Sequence, residues 1–281
     1  MRYGAVLLAG GRSSRMGEPN AALEWHGTTL IDRVARILSR GVEGGPVVVV
    51  RAPGQVLPSL PANVTVVDDA REGRGPLQGM LAGLEAIAPD ADVAYISAVD
   101  VPMLHPTFIR HVVTAVSDHV DVALPVALGH RHPLAAAYRT ALVGTIAALV
   151  SDDRMKPAFL FDVCRLRILD ERELREDAAL ALDDPELASL ANLNERVDYE
   201  LARARPAPAI SIERFGTLRP DGVRGAVAGH AATLGAAAAA VDLALDGHIV
   251  AAVNGDQISA DPLYALATGD AVAFLAADGG G

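Results

Sequence analysis

The chain has 281 residues, with 24 Lys and Arg against 35 Asp and Glu, giving a formal net charge of −11. A hydrophobic fraction of 51% with 21% charged residues can bury a large core and excludes a disordered chain. The acidic balance argues against loose binding to nucleic acid or an anionic membrane. The single cysteine, Cys164, excludes an internal disulfide framework or a cysteine-built metal centre and reads as a small buried hydrophobe. No apolar run reaches the ~18 residues of a membrane span. Met1-Arg2-Tyr3 runs straight into strand-like sequence with no cleavage site. The expected compartment is therefore the cytoplasm.

In chain order, strand-like apolar runs lie at 5–9, 46–51, 64–67, 92–99 and 120–125, with helical patterns at 29–40, 77–88 and 106–117 between them. Leu30, Val34, Ile37 and Leu38 recur at the spacing of one helix face. Continuous apolar strands alternating with helices predict a parallel sheet covered on both faces. A strand at 134–138, a helix at 140–151 and a closing helix at 194–204 follow. Two prolines in Arg203-Ala-Arg-Pro-Ala-Pro-Ala209 then mark a linker. Beyond it the pattern is a strand at 210–215, an alanine-rich helix at 234–245, a hairpin at 249–258 turning at Asn254-Gly255, and a last strand at 271–275. The expected organisation is a first domain at 1–204, a linker at 205–209 and a second domain at 210–281.

The first strand leads into Gly10-Gly-Arg-Ser-Ser-Arg-Met-Gly17. Glycines let a backbone approach a ligand closely, successive N–H groups bind anions, and Arg12 and Arg15 add charge-assisted donors for phosphate. The loop lacks the Gly-Lys-Ser/Thr ending of a Walker A loop and the spacing of a dinucleotide fingerprint. Asp100 ends one strand and Asp68-Asp69 another. Ligands bind beyond the carboxyl ends of strands in open α/β sheets, where a carboxylate near phosphates can hold Mg²⁺. The eight histidines show no metal-ligand spacing, and His130 and His132 read as surface or substrate-rim groups.

Leu8-Ala9-Gly10-Gly11-Arg12-Ser13-Ser14-Arg15-Met16-Gly17 resembles the signature of the MobA-like nucleotidyltransferases, a family that includes molybdenum cofactor guanylyltransferase. The likeness continues through Leu23, Gly27, Leu30, Asp69, Gly75-Pro76-Leu77-Gln78-Gly79, Val99-Asp100-Val101-Pro102, His132-Pro133-Leu134 and Asn192-Leu193-Asn194, covering residues 1–204. It implies an α/β, Rossmann-like (GT-A-like) three-layer domain that transfers a nucleoside monophosphate from an NTP to a phosphorylated acceptor. Pyrophosphate is released, and molybdopterin or molybdenum cofactor is the acceptor.

The resemblance also implies that Leu8, Ala9 and Gly10 contact the nucleotide through backbone groups. Gly11, Arg12, Ser13 and Arg15 belong to the nucleotide loop, with the arginines near the phosphates. Arg51 and Asp69 match nucleotide-contact positions, and Gly75, Pro76, Leu77 and Gly79 flank the base. Asp100 binds Mg²⁺ with Asn194 near it, and Arg15 and Asp100 are the catalytic pair. Ala9-Gly10-Gly11 is more similar to guanylyltransferases than to their cytidylyltransferase cousins, so GTP is the expected substrate, with CTP or another NTP as the alternative.

Two departures stand out. Asn20 occupies the position of a family lysine, and Lys156 is the only lysine in the chain. An amide cannot replace an ammonium facing phosphate, so an alternative reading is a catalytically weakened nucleotide-binding scaffold. Glu195-Arg196 also replaces the usual Thr-Pro after the late Asn-x-Asn.

Val250–Ser259, Leu266, Gly269–Leu275 and the Gly280-Gly281 ending are similar to the MoaD/ThiS-like sulfur carriers, a β-grasp (ubiquitin-like) family. That likeness implies a carrier whose terminal carboxylate at Gly281 is activated by an adenylating enzyme of the MoeB/ThiF type, with the molybdopterin synthase large subunit as a further partner. Neither nucleic acid nor a membrane is an expected partner.

Overall fold

The computed structural model describes residues 1–10, 20–70, 73–219 and 225–277. Contacts divide the chain into two units: Met1–Leu23 with Thr29–Tyr199, and Glu24–Thr28 with Glu200–Gly281.

In chain order up to Arg203, across both units, the elements are β1 (Tyr3–Leu8), the short β2 (Glu24–Trp25) and β3 (Thr28–Thr29), α1 (Leu30–Gly41), β4 (Val47–Arg51), β5 (Val64–Asp68), α2 (Pro76–Ile87), β6 (Val93–Ala98) and α3 (Pro106–Thr114). It continues with β7 (Val122–Ala127), β8 (His130–Arg131), β9 (Ala135–Arg139), α4 (Val143–Ser151), α5 (Pro157–Phe161), β10 (Leu166–Asp170), α6 (Glu171–Glu176), α7 (Ala178–Asp183) and α8 (Arg196–Arg203). Helix starts follow local chemistry. Thr29 accepts the Asp32 N–H at α1, while α2 and α3 each begin on a proline whose missing N–H would be unpaired there anyway.

One sheet has the order β10-β7-β9-β6-β1-β4-β5, with β8 paired to β7. Its central strands are parallel, and β1 lies between β4 and β6. The five strands expected to run parallel do so, and the strand expected at 134–138 enters the sheet as β9, antiparallel to both β6 and β7. The turn from β7 through β8 reverses the chain without a crossover helix, and Leu128 and Gly129 take positive φ there. Alternation along the strands sends side chains to opposite faces. Val6, Val48, Val50, Ile96 and Leu124 pack under α2 and α4, while α1 and α3 cover the other face. Several elements carry little sequence signal. Edge strand β10 alternates exposed Arg167 and Ile168 with buried Leu169, and α5 to α7 are each no longer than six residues.

The second unit contains β11 (Ala209–Arg214), β12 (Val227–His230), α9 (Leu234–Ala239), β13 (Ile249–Val253), β14 (Asp256–Ile258) and β15 (Ala271–Ala276). The sheet order is β12-β11-β15-β13-β14, with β11 and β15 parallel and the other pairs antiparallel. Leu234, Ala237 and Ala238 of α9 pack on Ile212, Val253 and Phe274. The alanine-rich helix is shorter than its composition suggests, because Asp242 takes φ 57° and turns the chain. Asn254 and Gly255 take φ 55° and 90°, as a type I′ hairpin requires. Asp270, 3% exposed, receives the Asn254 amide at 2.8 Å and the Ala267 N–H at 2.7 Å, tying that turn to the start of β15. Among the described residues, no helix is long and apolar enough to cross a membrane.

The position of α2 depends on Gly83, where a Cβ would lie 2.3 Å from Val6 Cγ1 and 3.0 Å from Val50 Cγ2. Gly83→Ala is expected to lower stability by about 1–3 kcal/mol through overpacking, read as a fall in the urea midpoint at unchanged slope.

Candidate active site

The carboxyl ends of β1, β4, β5 and β6 converge on a cleft of about 410 Å³. Its lining includes Leu8 and Gly10 after β1, Val50 and Ala52 at β4, Asp69 after β5, Gly75, Pro76 and Gly79 at the start of α2, and Ala98 and Leu134. The wall is mostly apolar, with Asp69 as its one acidic lining residue among those described. Gly75 holds φ +112°, and a Cβ there would lie 3.2 Å from the Met155 carbonyl. A Cβ on Gly79 would reach Leu8 Cδ2 at 3.4 Å and Asp69 Oδ2 at 3.6 Å. A glycine at 79 therefore lets the first turn of α2 lie close to the end of β1 and adds no side chain to the cleft wall.

Of the residues singled out from the sequence, Leu8, Gly10, Asp69, Gly75, Pro76 and Gly79 come together in this cleft. Three others sit differently. Leu77 does not reach the lining. It is 0% exposed and packs in the core beneath α2, because the side of the helix it occupies faces the sheet. Arg51 directs its guanidinium to Asp68, Nε to Oδ1 at 2.6 Å, and to the Gln55 carbonyl at 3.2 Å. Ala9 uses its own backbone groups within the protein: its N–H donates to the Val50 carbonyl at 2.8 Å and its carbonyl accepts from Gln55 Nε2 at 3.2 Å. Gly11, Arg12, Ser13 and Arg15 lie outside the described residues, as do Gly280 and Gly281.

Asp100 follows β6. Its Oδ1 is buried and has no hydrogen-bond partner among the described residues. Desolvation raises its pKa above the usual carboxylate value. The Leu193 N–H donates to the Asp100 carbonyl at 2.8 Å, which brings the Asn192-Leu193-Asn194 segment beside Asp100, with the Asn194 side chain exposed. Arg33, 3% exposed on α1, donates from Nε to the Pro102 carbonyl at 2.8 Å and braces the turn after Asp100. A lone buried carboxylate oxygen is costly unless it meets a cation or a proton donor, so the donor chemistry fits a hard divalent ion completed by substrate oxygens and water. Among the described residues, no group of three or more His, Cys, Asp or Glu is placed to hold a metal ion by itself. His132, whose ring nitrogen Nε2 lies 3.0 Å from the Ala127 carbonyl, is held below its ordinary pKa by burial. Cys164 is half-buried, and desolvation pushes its thiol up to about 11, so it is no nucleophile at neutral pH.

At position 20, Asn20 Oδ1 is also buried with no partner among the described residues. The fold closes a distance that the sequence does not. Met155 lies against Gly75 and Arg74 pairs with Asp153, so the exposed Lys156 follows a segment bordering the cleft lining. That approach, and the role of Gln55, leave no local signal in the sequence.

Comparison with known proteins agrees with this geometry. The profile of the MobA-like NTP transferase domain matches residues 5–165. A molybdenum cofactor guanylyltransferase of Desulfosudis oleivorans is 32% identical over 200 residues, 71% of this chain and 93% of its own length. A probable molybdenum cofactor guanylyltransferase of Mycobacterium tuberculosis is 40% identical over 176 residues, 60% of this chain and 85% of its own. The crystal structure of molybdopterin-guanine dinucleotide biosynthesis protein A from Archaeoglobus fulgidus covers 71% of this chain and 96% of its own with a TM-score of 0.55, a likeness of fold at 19% identity. The mixed α/β nucleotidyltransferase fold, the cleft at its strand ends and the profile match together make this chain a member of the MobA-like NTP transferase family.

Proposed function

We propose that the first unit transfers GMP from GTP to the phosphate of molybdopterin and releases pyrophosphate. The observation that carries this reading is the glycine-walled cleft at the carboxyl ends of β1, β4 and β5, with Asp100 ending the neighbouring strand. The guanine base would lie in the cleft lined by Leu8, Gly75, Pro76 and Gly79. Arg12 and Arg15, just beyond Gly10 in the sequence, would supply charge-assisted donors to the phosphates. An acceptor phosphate oxygen attacks the α-phosphorus of GTP, the bond to the β-phosphate oxygen breaks, and pyrophosphate leaves. No covalent enzyme intermediate is required, because positioning and charge neutralisation supply most of the rate in such transfers.

Asp100 and Asn194 would hold Mg²⁺, which when bound neutralises phosphate charge. Support comes from the unpaired buried Asp100 Oδ1 and from the main-chain bond that brings Leu193 and its neighbour Asn194 beside it. The names of the relatives, molybdenum cofactor guanylyltransferases, support an acceptor of the molybdenum cofactor class.

For the second unit we propose a sulfur-carrier role on a β-grasp fold. The sheet order β12-β11-β15-β13-β14, with parallel β11 and β15 side by side and α9 packed against it, supports that reading. So does the likeness of Val250–Ser259 and Gly269–Leu275 to those carriers. An adenylating enzyme of the MoeB/ThiF type would activate Gly281, and the expected boundary between the two functions is the proline-bearing linker at 205–209. Intact-mass measurement after incubation with such an enzyme and ATP is expected to show an adenylate, absent when a tag extends the chain beyond Gly281. Modification of the tagged chain would contradict the tail mechanism.

Three further outcomes test the transferase. With molybdopterin, Mg²⁺ and each NTP in turn, pyrophosphate release is expected with GTP above CTP, and no release with any NTP would overturn the reading. Asn20→Lys is expected to increase that release; no gain would show that Asn20 does not weaken the enzyme. Asp100→Asn is expected to lower turnover by about 100-fold or more. Its effect on stability has the opposite sign. Burial holds the native Asp100 carboxyl above its unfolded value, so the native state binds the proton more tightly. Stability therefore falls as pH rises from about 4 through the native value and stays lower above it. Asp100→Asn removes that loss and should raise the metal-free Tm at neutral pH. It should also abolish the Tm increase that Mg²⁺ gives the unsubstituted chain.

A further inference from the structure

We propose that Gln55 is a positioning residue for the nucleotide, fastening the end of β1 to the end of β4 so that Gly10 and Ala52 form a fixed wall of the cleft. The proposal rests on the nucleotidyl-transfer reading of that cleft.

The ladder between β1 and β4 ends at the Leu8–Val50 pair, with one more bond from the Ala9 N–H to the Val50 carbonyl. Beyond this point the two chains part, and the Gln55 carboxamide supplies the next link. Its Nε2 donates to the Ala9 carbonyl at 3.2 Å, and its Oε1 accepts from the Ala52 N–H at 3.0 Å. The residue is itself pinned. Its N–H donates to the Ala52 carbonyl at 3.0 Å, and its carbonyl accepts from Arg51, whose Nε is held by Asp68. Little slack remains in the wall so formed, since a Cβ on Gly10 would lie 3.2 Å from the Ala52 nitrogen.

Three properties of the side chain are needed at once: a donor for Ala9, an acceptor for Ala52 and no charge. Among side chains of this length the amide alone offers them at neutral pH. An ionised carboxylate would keep the Ala52 bond, lose the Ala9 bond, and set a negative charge beside the entry of the glycine loop that is to hold a triphosphate. Gln55 does not line the cleft itself, so its contribution passes through Ala9, Gly10 and Ala52.

The test compares the full-length chain with Gln55→Ala, Gln55→Met and Gln55→Glu, measuring the Kd for GTP with Mg²⁺, the KM for GTP, kcat and Tm. Loss of both bonds in Gln55→Ala or Gln55→Met is expected to raise Kd and KM for GTP by about tenfold. Saturating kcat should stay within about threefold and Tm within about 2 °C, since the group works on ligand geometry more than on the global fold. Gln55→Glu carries a signature that a purely structural role would not give. A protonated carboxyl restores both donor and acceptor, so its deficit relative to the unsubstituted chain should be full at pH ~7 and shrink only as pH falls toward about 4, through the ordinary carboxylate range.

GTP affinity within about twofold of the unsubstituted chain for both Gln55→Ala and Gln55→Met, or a Gln55→Glu deficit that does not change with pH, would overturn the role of Gln55 and leave the cleft reading intact. Failure of the unsubstituted chain itself to bind GTP would overturn the cleft reading and the proposal with it.

Discussion

The parallel pairing of β1 between β4 and β6 is the constraint on which the site depends. The register sets Leu8 opposite both Val50 and Ala98, so the three strands finish together at one edge of the sheet. Every described cleft residue hangs from that edge or from the helix packed against it. A slip of one residue would exchange Val6 and Leu8 for Ala5 and Leu7 on the α2 face and break the wall. Gly83 allows α2 to lie close enough for Gly75 and Gly79 to face the strand ends. Packing in the core thus bears on the width of a cleft lined largely by glycine and apolar side chains.

Electrostatics at that edge are arranged by pairing. Arg51 and Asp68 satisfy one another, leaving Asp69 to face the cleft. Asp100 is the exception: a buried carboxylate oxygen without a partner among the described residues, with a pKa raised by desolvation. The fold gives up stability there, as functional sites commonly do when a ligand supplies the missing partner. In a chain of net charge −11, that requirement is for positive charge. On the proposed reading a divalent ion would meet it.

Elements with strong local pattern could be read in advance. Apolar runs gave the central strands, helical spacing of Leu30, Val34, Ile37 and Leu38 gave α1, and Asn254-Gly255 gave the hairpin of the second unit. Reversal of β9 could not be read, because Ala135–Tyr138 is equally apolar in either direction and the reversal depends on a tight turn at Leu128 and Gly129. Edge strand β10 was hidden by its exposed, charged face. Within the site, glycines and strand-end carboxylates were legible because their chemistry is local. The burial of Leu77, the pairing of Arg51 with Asp68, the Gln55 clamp and the approach of Met155 to Gly75 depend on partners distant in sequence or on which way a helix faces.

The most direct measurement is a crystal structure of the full chain with a non-hydrolysable GTP analogue and Mn²⁺ in place of Mg²⁺, with anomalous data collected for the metal. The account predicts the guanine base in the cleft lined by Leu8, Gly75 and Gly79, and a metal peak bonded to Asp100 Oδ1. A nucleotide bound away from this cleft, or a metal held by other groups with Asp100 unliganded, would contradict it.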